Sequence, residues 1–437
     1  MKKILKKLLP KKLFSAYHFI LAIVASVIYG FPSKKMIVIG VTGTKGKTST
    51  INFIWSCLSA GGYKTGIIST ANIRIGEKEV LNRYHMTMPG RFVIQGLMAK
   101  MVKEGCKFCI VETTSQGILQ HRNVGIYYDV AIFTNLTPEH LESHGGSFEN
   151  YKMTKGKLFE SLSKHNKILD GEKVKKIIIS NSDSEHSEYF LNHVADTKVS
   201  YGITKDADCV ARDIIETSSG VIFHMDGKKY EIEILGKFNV HNALPAIVTA
   251  KIFGVSDQDI AKGLMGLKII PGRMEKINEG QNFTLIVDYA HEKQSITNVL
   301  NTARKMAGTT SKVIILLGAE GGGRDKAKRP IMGELSAKMS DYVVVSNVDP
   351  YDDEPVQILE DVATVAEKFG KVRGQNLFVI QDRRSGINKA ISLAQKGDIV
   401  LITGKGAEQS MIIGNKTIAW DDRVVVREEL QKIQKGL

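Results

Sequence analysis

The chain has 437 residues, which is too long for one hydrophobic core of ordinary size and predicts two or three domains. Its apolar and charged fractions are those of a soluble globular protein. The net charge of +14 is compatible with a polyanion, but the lysines are scattered and no arginine cluster alternates with aromatic residues, so nucleic acid is not predicted as a partner. Nucleotide phosphates and lipid headgroups remain as anionic partners.

The cysteines indicate a reducing compartment, in agreement with a cytoplasmic protein. Four thiols in a chain of this length do not form a disulfide framework. Cys106 and Cys109 form a CxxC pair, but they fall in a predicted buried strand and no second pair completes a zinc site. We therefore expect both to pack in the core.

Residues 1–35 combine a basic flank with an apolar stretch. Six of the first 12 residues are lysines, and the stretch from Leu13 to Phe31 is almost uncharged. Its length of roughly 19 residues just reaches what a bilayer span needs. A signal peptide is disfavoured because no small-residue cleavage site follows. A membrane-associated or interfacial helix and a helix docked on the protein body both remain open, and we expect the segment to hold the chain at or near the inner face of the membrane.

The next stretch predicts a strand, a glycine-rich turn and a helix in succession, at residues 36–41, 42–48 and 49–60. This order is how backbone N–H groups at a helix N-terminus hold a phosphate. Gly43 and Gly46 let the backbone approach the anion. Lys47 is placed to reach the β- and γ-phosphates, and Thr48 offers a hydroxyl to Mg²⁺. Val41 stands where the usual P-loop has glycine, so a tight turn without a ligand is the alternative.

Strand and helix patterns alternate over residues 36–270, which predicts a parallel sheet covered on both faces. The predicted strands are 36–41, 65–69, 108–112, 130–134 and 176–180, and the clearest helices are 49–60 and 92–104. In such sheets ligands gather at the carboxyl ends of the strands. Glu112 and His140 fall at such ends, so they are candidate cation ligands beside the phosphate loop.

Short alternating strands within residues 178–233 predict a small antiparallel addition at the sheet edge. A helix then begins within residues 236–243 and runs to about residue 253. Asn239 and Asn242 lie at its start. They would either cap the helix or bind the edge of a base.

A hinge is predicted around Pro271, where proline and glycine end the helical pattern. Strands are predicted beyond it at residues 284–287, 312–317, 342–345, 377–380 and 398–402, each followed by polar loops and helices. The predicted fold class is α/β, with a central P-loop ATP-binding domain at 36–270, built on a mostly parallel sheet, and a C-terminal Rossmann-like domain at 271–437.

Several motifs occur in one order along the chain. They are Gly-Thr-x-Gly-Lys-Thr at 43–48, Thr-Asn-Leu at 134–136 followed by His140, Gly-x-Phe-Asn-x-x-Asn-Ala at 236–243, Pro-Gly-Arg-Met-Glu at 271–275 and Asp-Tyr-Ala-His at 288–291. Together they resemble the Mur ligase family, the ATP-dependent amino-acid ligases of peptidoglycan precursor synthesis. The resemblance covers essentially everything from Met36 onward and is closest to the branch that adds the third residue of the peptide.

The resemblance implies a site for ATP and Mg²⁺. It assigns the ATP phosphates to Gly43, Thr44, Lys45, Gly46, Lys47, Thr48 and Ser49, and other nucleotide contacts to Asn242, Arg273, Asp288 and His291. It assigns the metal ions to Thr48, Glu112 and His140. Lys155, four residues after Tyr151, matches the lysine that family members carry as a carbamate, which would complete the metal site. Without the resemblance it is predicted to be an exposed helix lysine.

The resemblance also implies a muramoyl-peptide-type acceptor and an incoming amino acid. The acceptor positions are Thr87, Thr114, Gln120 and Arg122, and the amino-acid positions are Asp349, Tyr351, Gly404 and Glu408. Arg122 suits a carboxylate of the acceptor, and Glu408 is placed to pair with a distal ammonium. ATP would phosphorylate the acceptor carboxylate, and the amino group would displace phosphate from the acyl phosphate.

The sequence departs from the family pattern in four places. No uridine-binding domain precedes Met36, which opens the possibility of a lipid-linked or otherwise altered acceptor. Tyr351 replaces the arginine that holds the second carboxylate of diaminopimelate, which disfavours that amino acid. Ala407 replaces a usual histidine, and Lys293 and Gln294 replace Pro-Asp. A polyglutamate-type ligase and a non-ligating ATP-binding partner of a membrane cell-wall complex are the alternatives.

Overall fold

The computed structural model describes residues 11–84, 86–139, 141–323 and 326–435. His140, a predicted metal ligand, lies outside these residues. The chain divides into two compact units. The first comprises the residues up to Ile215 with Ile222–Glu233 and Asn239–Leu267, and the second comprises Glu216–Val221, Ile234–Phe238 and the residues from Lys268 onward.

The first unit is built on a large sheet with helices on its faces. Its strands are β1 Ile37–Thr42, β2 Thr65–Ile68, β3 Asn72–Ile75, β4 Lys78–Leu81, β5 Phe108–Glu112, β6 Val130–Phe133, β9 Ile177–Asn181, β10 Thr197–Gly202, β11 Cys209–Glu216, β12 Val221–Met225 and β13 Lys228–Ile232, with a separate hairpin of β7 Ile168–Leu169 and β8 Glu172–Lys173. Its helices are α1 Lys11–Ile28, α2 Lys47–Ala60, α3 Arg91–Lys103, α4 Ser115–Leu119, α5 Phe148–Glu160, α6 Ser187–Leu191, α7 Asn239–Ile252 and α8 Asp257–Gly266, with 3₁₀ turns at Pro32–Lys35, Leu141–His144 and Leu162–Lys164.

The strand order is β13-β12-β11-β10-β9-β6-β1-β5-β2-β3-β4. β1 lies between β5 and β6 and is parallel to both, so the predicted parallel sheet is confirmed. Because β1 and β5 are buried along their whole length, their sequences are continuous apolar runs rather than alternating ones. Cys106 and Cys109 are buried in this core, as predicted.

The antiparallel edge predicted for residues 178–233 is wrong for β10 and β11. β10 is parallel to β9, because the chain crosses back through α6 before it re-enters the sheet. β11 is parallel to β10 over a short overlap. Antiparallel pairs occur at the opposite edge, where β3 pairs with β2 and with β4. The turn between β3 and β4 contains Gly76 with a φ of 59°, which a glycine adopts without steric cost.

Helix α1 packs one face on the first unit. Ala22, Ala25 and Ser26 are buried there, and α1 contacts α3. Within the part of the chain that the structure describes, no helix has the length and apolar character needed to cross a bilayer.

The second unit repeats the alternation. Its strands are β14 Glu275–Ile277, β15 Thr284–Asp288, β16 Val313–Leu317, β17 Tyr342–Val345, β18 Leu377–Val379 and β19 Ile399–Thr403, with a hairpin of β20 Ser410–Ile413 and β21 Lys416–Ala419, and its helices are α9 Lys293–Ala307, α10 Lys328–Met339, α11 Pro355–Lys368, α12 Arg383–Ser392 and α13 Asp422–Gln434. The sheet order is β14-β15-β19-β16-β17-β18, and β14 alone of these pairs antiparallel. Apolar side chains form core clusters on both faces of this sheet, as doubly wound α/β units require.

Candidate active site

The phosphate loop connects β1 to α2 and is fastened to the end of β6. Gly43 has a φ of 149°, and a Cβ there would lie 2.0 Å from the Thr134 hydroxyl. The backbone N–H of Thr44 donates to the carbonyl of Asn135 over 2.8 Å, and the N–H of Lys45 donates to the Asn135 side chain over 2.9 Å. The Thr134 hydroxyl in turn donates to the carbonyl of Lys45 over 2.7 Å. These bonds hold the loop open at the start of a helix, where N–H groups bind anions.

Two lysines converge on one carbonyl of this loop. Lys47 Nζ donates to the carbonyl oxygens of Gly43 and Thr44, at 3.1 and 2.8 Å. Lys155 Nζ, from α5, donates to the Gly43 carbonyl over 2.8 Å. Lys155 is buried, not exposed as its sequence pattern alone predicts. Burial, followed by the charge of Lys47, holds the pKa of the Lys155 amine well below its usual range.

A hydroxyl and a carboxylate meet beside the lysines. Thr48 Oγ1, in the first turn of α2, donates to Glu112 Oε2 over 2.9 Å. The same oxygen accepts the N–H of Thr70 over 2.8 Å, and Glu112 is buried at the end of β5. Oxygen atoms of this kind are the ligands that Mg²⁺ prefers, so the pair fits the predicted metal site. Within the described residues, no group of three or more His, Cys, Asp or Glu side chains forms a metal site by itself.

Asn242 lies against the phosphate loop. A Cβ on Gly46, whose φ is 81°, would lie 2.2 Å from Asn242 Oδ1. The amide of Asn242 donates to Asn239 Oδ1 over 2.7 Å at the start of α7. Ser49 is buried one residue further along α2 than Thr48, and Lys45 forms an ion pair with Glu139 at 2.8 Å. The structure therefore gathers the phosphate-loop residues and Asn242 at one place in the first unit.

The predicted acceptor residues form a second polar group in the same unit. Arg122 donates to Gln120 Oε1 over 2.5 Å and to the carbonyl of Met88. Burial lowers the pKa of the Arg122 guanidinium. Thr114 caps α4 by accepting the N–H of Gly117 over 3.1 Å. Thr114 therefore has a structural role in addition to the one implied for it.

Thr87 is linked to the metal-site pair by a residue that sequence reasoning missed. Its hydroxyl accepts from Thr70 Oγ1 over 2.9 Å, and the Thr70 N–H binds Glu112. Arg91 was also missed, although it donates to the carbonyl of Gln120 over 2.7 Å. Neither residue lies in a recognisable motif, so only the tertiary structure identifies them.

Arg273, Asp288 and His291 lie in the second unit. Asp288 accepts the N–H groups of Met274 and Ala290, both over 2.7 Å, and burial raises the pKa of its carboxyl. The guanidinium of Arg273 stacks 4.3 Å from the Tyr289 ring centroid. His291 Nδ1 is 2.7 Å from the Tyr289 carbonyl. Asp288 thus fixes the backbone around Arg273.

The predicted amino-acid residues surround a buried lysine. Lys405 Nζ lies 2.8 Å from Asp349 and 2.6 Å from Glu408. Glu408, which was expected to pair with the incoming amino acid, also accepts the Tyr289 hydroxyl over 3.1 Å. Lys405 belongs to a loop that the sequence singled out, but its own role was missed. Lys405 therefore pairs with both carboxylates of this cluster.

Gly404 and Tyr351 set the backbone around this cluster. Gly404 has a φ of 109°, and its N–H donates to the carbonyl of Asp288 over 3.2 Å. Tyr351 has a φ of 53°, which is uncommon for a residue with a side chain. Its backbone binds the β20-β21 hairpin through Ile412 and Gly414.

Arg383 binds the backbone just before the Asp349 and Gly404 loops, and this role was not predicted. It is fully buried and forms a bidentate pair with Asp422, at 2.8 and 2.6 Å. It also donates to the carbonyls of Asn347 and Thr403, over 3.1 and 2.8 Å. These carbonyls immediately precede the Asp349 and Gly404 loops. No sequence signal distinguishes Arg383 from other arginines at helix starts.

A phosphate loop on a parallel sheet, with a hydroxyl–carboxylate pair and a buried lysine beside it, defines a nucleotide-binding α/β protein. Comparison with known families shows a match of residues 41–250 to the Mur ligase middle domain and of residues 272–406 to the Mur ligase, glutamate ligase domain. The chain belongs to the Mur ligase family.

Named relatives are similar over most of their length. The chain is 38% identical to the UDP-N-acetylmuramoyl-L-alanyl-D-glutamate–2,6-diaminopimelate ligase of Geobacillus kaustophilus, over 94% of this chain and 82% of the relative. It is 35% identical to the UDP-N-acetylmuramyl-tripeptide synthetase of a Roseiflexus species, over 95% of this chain and 82% of the relative.

Solved structures share the fold. A UDP-N-acetylmuramoyl-L-alanyl-D-glutamate–2,6-diaminopimelate ligase has a TM-score of 0.61 and 28% identity, over 92% of this chain and 79% of that one. The folylpolyglutamate synthase of Mycobacterium tuberculosis has a TM-score of 0.69 over 96% of this chain and 95% of that one, at 17% identity. The second likeness shows the fold alone.

Proposed function

We propose that this protein is an ATP-dependent ligase that joins an amino acid to a muramoyl-peptide-type acceptor in peptidoglycan precursor synthesis. The observation that carries the proposal is the convergence of Lys47, Lys155, Thr48 and Glu112 on the phosphate loop of the first unit. The names of the similar proteins support the same reaction class.

The phosphate loop would bind the ATP phosphates through its backbone N–H groups, with Lys47 offsetting their charge. In its present position Lys47 binds two loop carbonyls, so its ammonium lies within reach of an anion in the loop. Mg²⁺, when bound, would neutralise charge on the transferring phosphoryl group. Thr48 and Glu112 would hold it, and His140 is proposed as a further ligand.

Lys155 is proposed to carry a carbamate. A neutral amine attacks CO₂ through its lone pair, loses one proton and becomes an anionic carbamate. The lowered pKa of Lys155 favours that neutral amine. The product would place a negative charge next to the Thr48–Glu112 pair, where it suits a divalent cation.

Arg122, Gln120, Thr87 and Thr114 are proposed to bind the acceptor, with the Arg122 guanidinium facing one of its carboxylates. The acceptor carboxylate oxygen would attack the γ-phosphorus and ADP would leave. The amine of the incoming amino acid would then attack the acyl carbon, and phosphate would leave with the electron pair of the broken C–O bond.

The amino acid is proposed to bind at the Asp349, Tyr351, Gly404 and Glu408 loops of the second unit. Asp349 and Glu408 share Lys405, and carboxylates of this kind suit the ammonium of an amino acid. The relative from Geobacillus kaustophilus is named as a 2,6-diaminopimelate ligase. We propose a different amino acid here, because Tyr351 lacks the bidentate cation that a second carboxylate needs.

The proposed place of action is the cytoplasm, at the inner face of the membrane. Residues 1–35 contain eight lysines and no acidic residue, which suits an anionic leaflet.

Phosphate release tests the proposal. Muramoyl-dipeptide acceptors, UDP-linked and lipid-linked, are combined with ATP, Mg²⁺ and a panel of amino acids. We expect release that requires both acceptor and amino acid. The proposed ligase activity would be refuted if no pairing released phosphate. It would also be refuted if phosphate release did not depend on the acceptor. Product mass separates addition of one residue from polyglutamate-type extension.

A further inference from the structure

We infer that helix α1 docks the first unit on the surface of an anionic bilayer and lies in the interface without crossing it. The side of the helix that faces away from the protein is apolar. Its exposed apolar side chains are Leu13, Tyr17, Ile20, Ile23, Val24, Val27 and Ile28. Because most of them recur every three or four residues, they form one stripe along the helix.

The opposite side of α1 is already occupied. Ala22, Ala25 and Ser26 are buried against the unit, and α3 lies next to the helix. Small residues at this contact let the helix lie close to its neighbour. The exposed stripe is therefore held in a fixed orientation on a folded body, and it does not depend on the helix detaching.

The positive charge near α1 favours an anionic bilayer as the partner of the apolar stripe. Six lysines occur in residues 1–12 and two more at Lys34 and Lys35, and the first acidic residue of the chain is Glu77. A second copy of the chain would bring the same positive charge and be repelled. Anionic headgroups would attract the lysines. The apolar side chains would enter the boundary between headgroups and acyl chains. Among the described residues, no helix meets the requirements of a span.

The surface continues beyond the end of α1. Tyr29, Phe92 and Leu97 line a cavity of about 350 Å³ that Lys100 and Lys103 also border. Like the stripe, this cavity combines apolar side chains with nearby lysines. This combination suits a lipid with a negatively charged headgroup.

Docking would also bring the proposed acceptor site to the bilayer, a step that rests on the proposed function. Ser15 Oγ is 2.7 Å from His121 Nε2, and the rings of Phe19 and His121 meet edge to face at 5.8 Å. His121 lies between Gln120 and Arg122, the residues assigned to the acceptor. The acceptor class that suits this arrangement is a muramoyl peptide anchored to a lipid in the same leaflet.

Vesicle flotation of the full chain without ATP or acceptor tests the docking. Vesicles of phosphatidylcholine that contain anionic phosphatidylglycerol are compared with vesicles of pure phosphatidylcholine. We expect flotation with the anionic vesicles, and much less with neutral vesicles or in high salt. The double variant Ile20→Glu, Val24→Glu should lower the floated fraction at least about tenfold, because it places two charges in the apolar stripe.

The matched control is the double variant Ile168→Glu, Val194→Glu, which changes exposed apolar residues of the same unit outside the stripe. It should float like the unmodified chain. Absence of flotation, or equal flotation of the stripe variant, would overturn the inference. So would a dimer that the stripe variant dissociates and that does not bind vesicles. Failure of ligase activity would not affect this test, since no substrate is present.

Discussion

For Lys155, the environment in the structure differs most from the one that its sequence pattern alone predicts. On α5 it lies in the first unit with its amine on the Gly43 carbonyl, within a group that includes Lys47. Two lysines this close repel each other when both are charged, and burial adds to the effect. The structure thus explains why a neutral amine at this position is favoured, which the sequence pattern of α5 alone does not show.

Replacement of Lys155 by Ala should lower ligase turnover at least about a hundredfold, the scale of losing one preorganised charge. An added short carboxylic acid should restore part of the activity by supplying the missing negative charge. Lys157→Ala is the matched control, because Lys157 is an exposed lysine of the same helix. A scaffold that binds ATP without ligating would show no such rescue.

The carbamate has its own pH dependence. A lowered pKa raises the neutral fraction of the Lys155 amine, and that fraction declines as the pH falls. We expect ¹³C-bicarbonate to give a carbamate NMR signal in the unmodified chain that declines towards acid pH. Lys155→Ala should lack the signal and Lys157→Ala should keep it. A signal that survives in Lys155→Ala would place the carbamate elsewhere.

Motifs identified the residues of the phosphate loop, but their partners could not be predicted. Glu112 and Thr48 are 64 residues apart in sequence and meet only because β1 and β5 are neighbours in the sheet. Thr70 and Arg383 belong to no motif, and their importance follows from which backbone groups they bind. Such contacts depend on tertiary packing, which residue order alone does not specify.

At the scale of elements, the loop between β1 and α2 depends on Gly43. A Cβ at this position would lie 2.0 Å from the Thr134 hydroxyl and 2.9 Å from the Asn135 carbonyl. Gly43→Ala should therefore displace the loop and weaken ATP binding at least about tenfold, which corresponds to about 1.4 kcal/mol. Calorimetric titration with ATP measures this.

Gly266→Ala is the control for the loop substitution. Gly266 ends α8, and a Cβ there would contact nothing within 4 Å. It should leave ATP affinity unchanged. Equal ATP affinity in Gly43→Ala would show that the loop does not hold the nucleotide.

Arg383 joins the ends of β17 and β19 in the second unit. Arg383→Lys keeps the charge but loses the bidentate pair with Asp422 and contacts to two carbonyls. We expect a loss of about 1.5–3 kcal/mol in the free energy of unfolding, the net value of a hydrogen bond to a charged group. The KM for the amino acid should rise while the KM for ATP stays constant.

Arg384→Lys serves as the comparison, because Arg384 is a partly exposed neighbour paired with Glu428 and Glu429. It should change neither KM. A purely structural role for Arg383 would lower stability and leave the KM for the amino acid unchanged.

Helix α1 gives a prediction about the acceptor. If α1 places the Gln120–Arg122 region at a bilayer, an acceptor anchored in anionic vesicles should react with a higher kcat/KM than its soluble headgroup. The variant Ile20→Glu, Val24→Glu should lower that kcat/KM at least about tenfold and leave the soluble reaction unchanged. Equal effects on both acceptors would contradict a membrane-borne substrate.

At the scale of the whole molecule, the alternation of apolar runs and helical patterns predicted the α/β class. Buried parallel strands such as β1, β5 and β16 give continuous apolar runs that a sequence displays directly. Strand direction was harder to predict where strands are partly exposed, as in β10 and β11. The β3-β4 hairpin was missed because β4 is mostly exposed and carries little apolar pattern.

The central claim is that the acceptor carboxylate is activated as an acyl phosphate. The most direct measurement uses a muramoyl-dipeptide acceptor labelled with ¹⁸O in its terminal carboxylate. Mass spectrometry of the phosphate released during amide formation then follows the label. The proposed reaction predicts transfer of one labelled oxygen from acceptor to phosphate for each amide bond formed. Amide formation with unlabelled phosphate, or ATP hydrolysis without amide formation, would contradict it.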